Sequence, residues 1–157
     1  MEIDERIPMN TSERAAWIAL VLTPVTVAGY LVVVVPQLAG TAVGEIGWQV
    51  PMLWSMGINF VGTIVVTILV TIVAGIGAGL RHQELETGTD ERDRGIDRLG
   101  GRVALGISAA GLLAVLVLAM IEVDVFWIGN AAFLIGAIGA TAGAIAQVGA
   151  YRGVLRG

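Results

Sequence analysis

The chain has 157 residues, 56% of them hydrophobic, with a mean hydropathy of +0.84. A soluble domain of this size would not carry so much apolar sequence, and the absence of cysteine excludes disulfides, thiolate metal sites and Cys nucleophiles. The formal charge of −4 hides a strong asymmetry, because all nine basic residues are arginines and they fall in only three stretches.

Four long apolar runs occupy about 15–35, 52–80, 103–121 and 125–150. About 20 apolar residues at 1.5 Å rise cross a hydrocarbon core of roughly 30 Å, so each run is read as a transmembrane helix. Arg6 and Arg14 precede the first run. Arg81, Arg92, Arg94, Arg98 and Arg102 lie between the second and third, and Arg152 and Arg156 follow the fourth. The other two links have no Arg or Lys. Basic loops stay cytoplasmic, which predicts a multi-pass protein of the cell membrane (plasma or inner) with both termini inside. Residues 1–14 form a cytoplasmic tail, and 15–157 a single transmembrane domain built as a four-helix bundle. A cleaved signal peptide fits the first run poorly: the run is too long, its tail is acidic, and no A-x-A site follows.

Along the chain, Thr11 or Ser12 can cap the first helix, and Pro24 is expected to bend it. Gly40, Gly44, Gly47 and Pro51 break the first outer link, with Trp48 and Trp54 as interfacial anchors. The second helix ends in a small-residue pair, Gly75 and Gly79. In the central loop, 81–102, Thr89 can cap a short amphipathic helix with Ile96, Leu99 and Val103 on one face. That helix is expected to lie on the cytoplasmic surface and to join the third span through Gly100-Gly101. A short outer turn then makes the last two spans an antiparallel hairpin. Small residues at four-residue spacing, Gly106 and Ala110 in the third span, Gly136 with Ala140 and Gly139 with Gly143 in the fourth, are expected to let helix backbones approach.

Chemistry-bearing residues are sparse. No ionisable residue falls in the middle of a span, where pumps and proton-coupled exporters carry one. His82 is the only histidine, and no G-x-S-x-G, Walker or H-E-x-x-H motif occurs, so neither an enzyme nor a cofactor nor a metal site is expected. Asn59, Asn130 and Gln147 are expected to bond between helices; with Thr63 they are the alternative lining of a transport path. At the outer turn, Glu122, Asp124, Trp127 and Asn130 cluster. Asp124 is placed to cap the fourth helix and Trp127 to anchor it, while Glu122 has no evident local role. The densest charge is Asp90, Glu91, Arg92, Asp93, Arg94, Asp97 and Arg98. This mixed strip suits either a solvated helix or docking of a cytoplasmic regulatory protein, and is not the bare polybasic patch that binds nucleic acid or anionic lipid.

The segments DERDRGID (Asp90–Asp97), EVDVFWIGNA (Glu122–Ala131) and AYRG (Ala150–Gly153), with PMLW at 51–54, resemble a family of small, uncharacterised prokaryotic membrane proteins of actinobacterial type. Those proteins look like four-pass chains with a D-E-R-D-x-x-I-D loop and a D-x-F-W-I-x-N outer turn. This chain departs from them at Val125, where a polar or His residue is usual, and in having one arginine in YRG rather than two. The resemblance implies no activity; the frequent company of small helix-turn-helix regulators implies a sensor or membrane-partner role. The chain is therefore expected to be a non-enzymatic binding or sensing membrane protein, alone or as a homo-oligomer, with a small oligomeric transporter or channel as the alternative.

Overall fold

A computed structural model describes residues 11–80 and 91–153. Among these residues there is no strand. Four helices, α1 (Thr11–Val34), α2 (Gln49–Leu80), α3 (Glu91–Met120) and α4 (Val125–Tyr151), are each long and apolar enough to cross a membrane. Asp90, the Thr89 cap and the first ten residues lie outside the described residues.

The main contacts run α2 to α1, α1 to α4 and α4 to α3, so the helices form a row rather than a closed bundle. Lipid tails are as apolar as Leu and Val side chains, so no hydrophobic force closes the row, and packing is decided by shape and hydrogen bonds. The starts of α1 and α3 and the end of α4 meet at one end. There, Arg152 lies over the Trp17 ring at 4.8 Å, and the Gln147 side chain lies against Gly100. This is the arginine-bearing end.

At the opposite end, the link after α1 folds back over the helices. Two 3-10 turns, Val35–Ala39 and Val43–Glu45, carry it, and Gln37 holds it by accepting from Gly47 N–H and donating to the Val33 carbonyl. Ile46 is thereby buried with Tyr30, Val34, Met52 and Phe126. Trp48, expected as a lipid anchor, instead stands edge-on to Phe126 and covers Gly129, where a Cβ would sit 2.5 Å from the indole. Trp54 and Trp127 remain exposed.

The expected short surface helix does not exist as a separate element. Residues 91–102 are the first turns of α3 itself, in one unbroken helix with the span. Gly100 does not break it, because its lack of a side chain serves close approach: a Cβ there would meet Gln147 Cγ at 2.4 Å. Asp93, Ile96 and Gly100 form the buried face of these turns.

The α3–α4 seam is the most extensive helix contact among the described residues. A Cβ on Gly143 would lie 2.8 Å from the Gly100 carbonyl oxygen, and one on Gly139 would lie 3.0 Å from that of Ala104. Gly106 and Gly136, expected to pack likewise, would each present a Cβ to open space, so those two positions are not part of an intrachain seam. Gly75 is half-buried, and the packing of Gly79 lies outside the description.

Candidate functional site

The polar side chains of the spans gather where α1 is weakest. Pro24 lacks an N–H, so the turn around it has one backbone bond fewer, and neighbouring hydroxyls commonly serve such turns inside a membrane. The Thr26 hydroxyl donates to the Leu22 and Thr23 carbonyls, both at 3.0 Å. From α2, Ser55 donates to the Thr26 carbonyl at 2.9 Å. Asn59 donates through Nδ2 to the hydroxyls of Thr26 (3.0 Å) and Thr23 (3.3 Å). One helical turn separates Ser55 from Asn59 and almost one separates Thr23 from Thr26, so the two pairs face each other in register.

These four side chains line a cleft of about 350 Å³ between α1, α2 and α4. The α4 wall is small and flat, with Gly136, Ala137 and Ala140. Open space at Gly136 is what keeps the cleft wide. Its volume lies at the lower end of the range for small-molecule sites, and an apolar wall with a few convergent polar groups is their usual make-up. The polar groups are three hydroxyls and one amide. They can hydrogen-bond a neutral ligand or water, and none of them can transfer a proton near pH 7. A larger groove of about 580 Å³, lined by Leu31, Leu118, Val123, Phe126 and Trp127 among others, is almost wholly apolar. Acyl chains can fill it without any specific recognition.

Asn130 and Gln147 do not join the cleft. Asn130, only 8% exposed, accepts from the Tyr30 hydroxyl at 2.5 Å and donates to the Phe126 carbonyl at 2.8 Å. Gln147 lies on Gly100 at the arginine-bearing end. Thr63 donates to the Asn59 carbonyl along α2. Of the four residues expected to line a transport path, Asn59 lines this cleft and Asn130 the larger groove, so these two do not meet in one cavity among the described residues.

At the turn between α3 and α4, Asp124 caps α4 by accepting from Phe126 N–H at 2.8 Å. Glu122 has a structural place that its sequence context did not reveal. With φ 55° it holds the left-handed position after α3, while Glu122 N–H bonds to Ala119 and Val123 N–H to Leu118. That is the Schellman arrangement, in which glycine is usual. Trp127 stands edge-on to Phe126 at 4.9 Å. Among the described residues, no group of three or more potential ligands is placed to hold a metal.

On the first turns of α3, Glu91, Arg92, Arg94, Asp97 and Arg98 are exposed, whereas Asp93 is only 6% exposed. Asp93 is thus turned inward and unavailable to a partner. The Asp97 carboxyl lies before the apolar stretch of α3, and its pKa is raised from the ordinary value by desolvation and then by the Asp93 charge.

Sequence reasoning missed Thr23, Thr26, Ser55 and Tyr30. The threonine pair beside Pro24 and the Ser55/Asn59 spacing were the available signals. No family model matches this chain, and neither curated proteins nor solved structures give a significant match.

Proposed function

We propose that this is a non-enzymatic sensing or binding protein of the cell membrane, with both termini and the 91–102 turns on the cytoplasmic side. Its ligand enters the Thr23–Thr26–Ser55–Asn59 cleft from the bilayer. It is small, largely apolar and neutral, and it carries one or two hydrogen-bonding groups such as an alcohol, amide or carbonyl. The output is the docking of a cytoplasmic partner through Glu91, Arg92 and Asp97, which lie around Arg94 and Arg98 on the exposed side of these turns.

One observation carries this reading: α4 belongs to both sites. Gly136 and Ala140 form the cleft wall, while Gly139 and Gly143 clasp α3. A ligand pressing on the first pair acts on the helix that holds the second, and α3 runs unbroken from that clasp to Glu91.

The test is crosslinking in native membranes with a photoreactive residue placed at Gly95, followed by identification of what is captured. Two variants accompany it: Glu91→Gln/Arg92→Gln/Asp97→Asn, and Gly136→Leu, whose side chain fills the cleft. The expected result is a specific cytoplasmic protein that is lost with the first variant and altered in yield with the second, both variants inserting normally. Capture that survives both variants unchanged refutes the reading.

A second reading is a small oligomeric transporter or channel. It draws on the row Ser55, Asn59, Thr63, Thr67 and Thr71, which repeats every fourth residue along α2 and passes from the buried to the exposed face. Solute flux in proteoliposomes, abolished by Asn59→Leu, would favour it over sensing.

A further inference from the structure

We propose that Arg98 and Arg102, with Arg94 at the margin, form a binding site for the headgroup of an anionic phospholipid. Its choice of leaflet rests on the topology proposed above; its chemistry does not.

Folding thins the mixed charge of 91–102: Asp93 is withdrawn, while Glu91, two turns before Arg98, and Asp97, about 100° round from it, stay exposed. Asp93 is buried with Ile96 and Gly100, and these three set the inward direction of α3. At 100° per residue, Arg98 stands about 160° from both Ile96 and Gly100, so it points away from the protein. Arg94 and Arg102 flank it at four-residue spacing on the same ridge, and all three are exposed. One heptad beyond Arg98 comes Leu105, 70% exposed, and then Leu112, 57% exposed. The arginine ridge therefore continues the ridge that faces lipid tails.

Depth along the helix points to the same occupant. The apolar stretch 103–120 spans about 27 Å, close to the hydrocarbon thickness. Arg102 is then at the hydrocarbon edge, and Arg98 is about 6 Å farther out, within the headgroup layer of roughly 5–8 Å. Arg94 is about 12 Å out, beyond that layer, and is marginal to the site. Neither Arg98 nor Arg102 has an acidic residue three or four positions away on its helix; their neighbours at that spacing are glycine, leucine and each other, or Arg94. Like charges at that spacing repel, and a phosphate between two guanidiniums removes the repulsion while accepting bidentate bonds from each.

The experiment uses the full chain in neutral detergent, titrated with phosphatidylglycerol or phosphatidylcholine, with bound lipid counted by native mass spectrometry. Phosphatidylglycerol should be retained in preference to phosphatidylcholine. Arg98→Gln/Arg102→Gln should lower its affinity by roughly 25-fold, about fivefold per arginine. Arg92→Gln, about 120° round the helix, should change it less than twofold. Arg98→Lys/Arg102→Lys keeps the charge and should lose no more than about fivefold, which separates charge from folding.

Equal retention of the two lipids by the wild type overturns the proposal. So does an equal loss in Arg92→Gln, which means diffuse attraction, or an equal loss in the lysine variant. Displacement of the lipid by millimolar inorganic phosphate also overturns it, because the ligand is then a free anion. Partner capture plays no part in this measurement, so its failure and that of the docking reading are told apart.

Discussion

Replacing Gly143 with alanine should loosen α3 from α4, whereas the same change at Gly106 should not. A Cβ on Gly143 would stand 2.8 Å from the Gly100 carbonyl oxygen and 3.0 Å from Ala104 Cβ. Carbon atoms prefer roughly 3.5–4.0 Å, so the helices must part by about 0.5–1 Å, and a backbone carbonyl cannot rotate away. A gap of that size forfeits a quarter to a half of each contact along the seam, and overpacking of this kind costs about 1–3 kcal/mol. Alanine returns up to about 1 kcal/mol of helix propensity, leaving a net loss of up to about 2 kcal/mol. At Gly106 a Cβ meets nothing within 4 Å, so only the propensity gain remains and the sign reverses. Gly139→Ala should fall between them, because its nearest obstacle, Ser108 Oγ at 2.6 Å, is a side chain that can turn. The assay is unfolding in mixed micelles against increasing dodecyl sulfate, followed by circular dichroism. Equal effects of Gly143→Ala and Gly106→Ala, or stabilisation by the former, would refute the placement of the seam.

Tyr30→Phe keeps the edge-on contact with Phe133 at 5.0 Å but leaves the Asn130 carbonyl oxygen without its donor. It should cost about 0.6–2 kcal/mol in the same unfolding assay, and no change would mean that the bond contributes nothing. Glu122→Gly relieves a left-handed residue, gaining about 1–2 kcal/mol against about 0.4–1 kcal/mol of added chain entropy, so it should stabilise by about 0.5–1 kcal/mol. A fall in stability would show that the carboxylate itself has a role. For Asp97, the folded-state pKa lies above the unfolded value, so the folded chain holds its proton longer. Stability should therefore decline as pH rises from the ordinary carboxylate range through the raised value, and then level off. Asp97→Asn should erase that decline, matching wild type in acid and exceeding it at neutral pH; parallel pH profiles would count against the shift.

Helix number and type were legible because apolar length is a strong, local signal. The run at 125–150 corresponds to Val125–Tyr151, and the one at 52–80 to Gln49–Leu80. The third helix was underestimated because hydropathy sees only its apolar part. The Arg, Glu and Leu of ERDRGIDRLGGR are good helix formers that extend it by more than three turns. The inward face of those turns was readable in principle, since Asp93, Ile96 and Gly100 follow the helical period, but the charge of Asp93 masked it. Which small residues pack was not readable: spacing treats Gly106 and Gly143 alike, and only the neighbouring helix distinguishes them. The cleft was illegible for a related reason. Thr23 and Asn59 are apart in sequence and on different helices, and nothing local to either marks the other as its partner.

Whether ligand binding moves the charged end depends on which wall of the cleft yields. α2 is held to α1 by the bonds of Ser55 and Asn59, each worth about 0.6 kcal/mol in a membrane, and otherwise by apolar contact. α4 is held to α3 by carbonyl-to-glycine contacts with almost no room to slide. Within α4, Gly136 and Gly139 are about 60° apart around the axis, so pressure on the cleft wall has a component toward α3. The two helices should then move as one body, carrying the turns at Glu91 with them, while α2 either stays or swings outward. Spin labels at Leu105 and at Trp54, both exposed, measure the difference directly. Addition of a neutral alcohol that fills the cleft should move the label at Leu105 relative to a third label at Val25 on α1, which is also exposed. If only the label at Trp54 moves, α2 is the compliant wall: binding then has no route to the charged turns at Glu91, and the polar row of α2 becomes the feature to pursue.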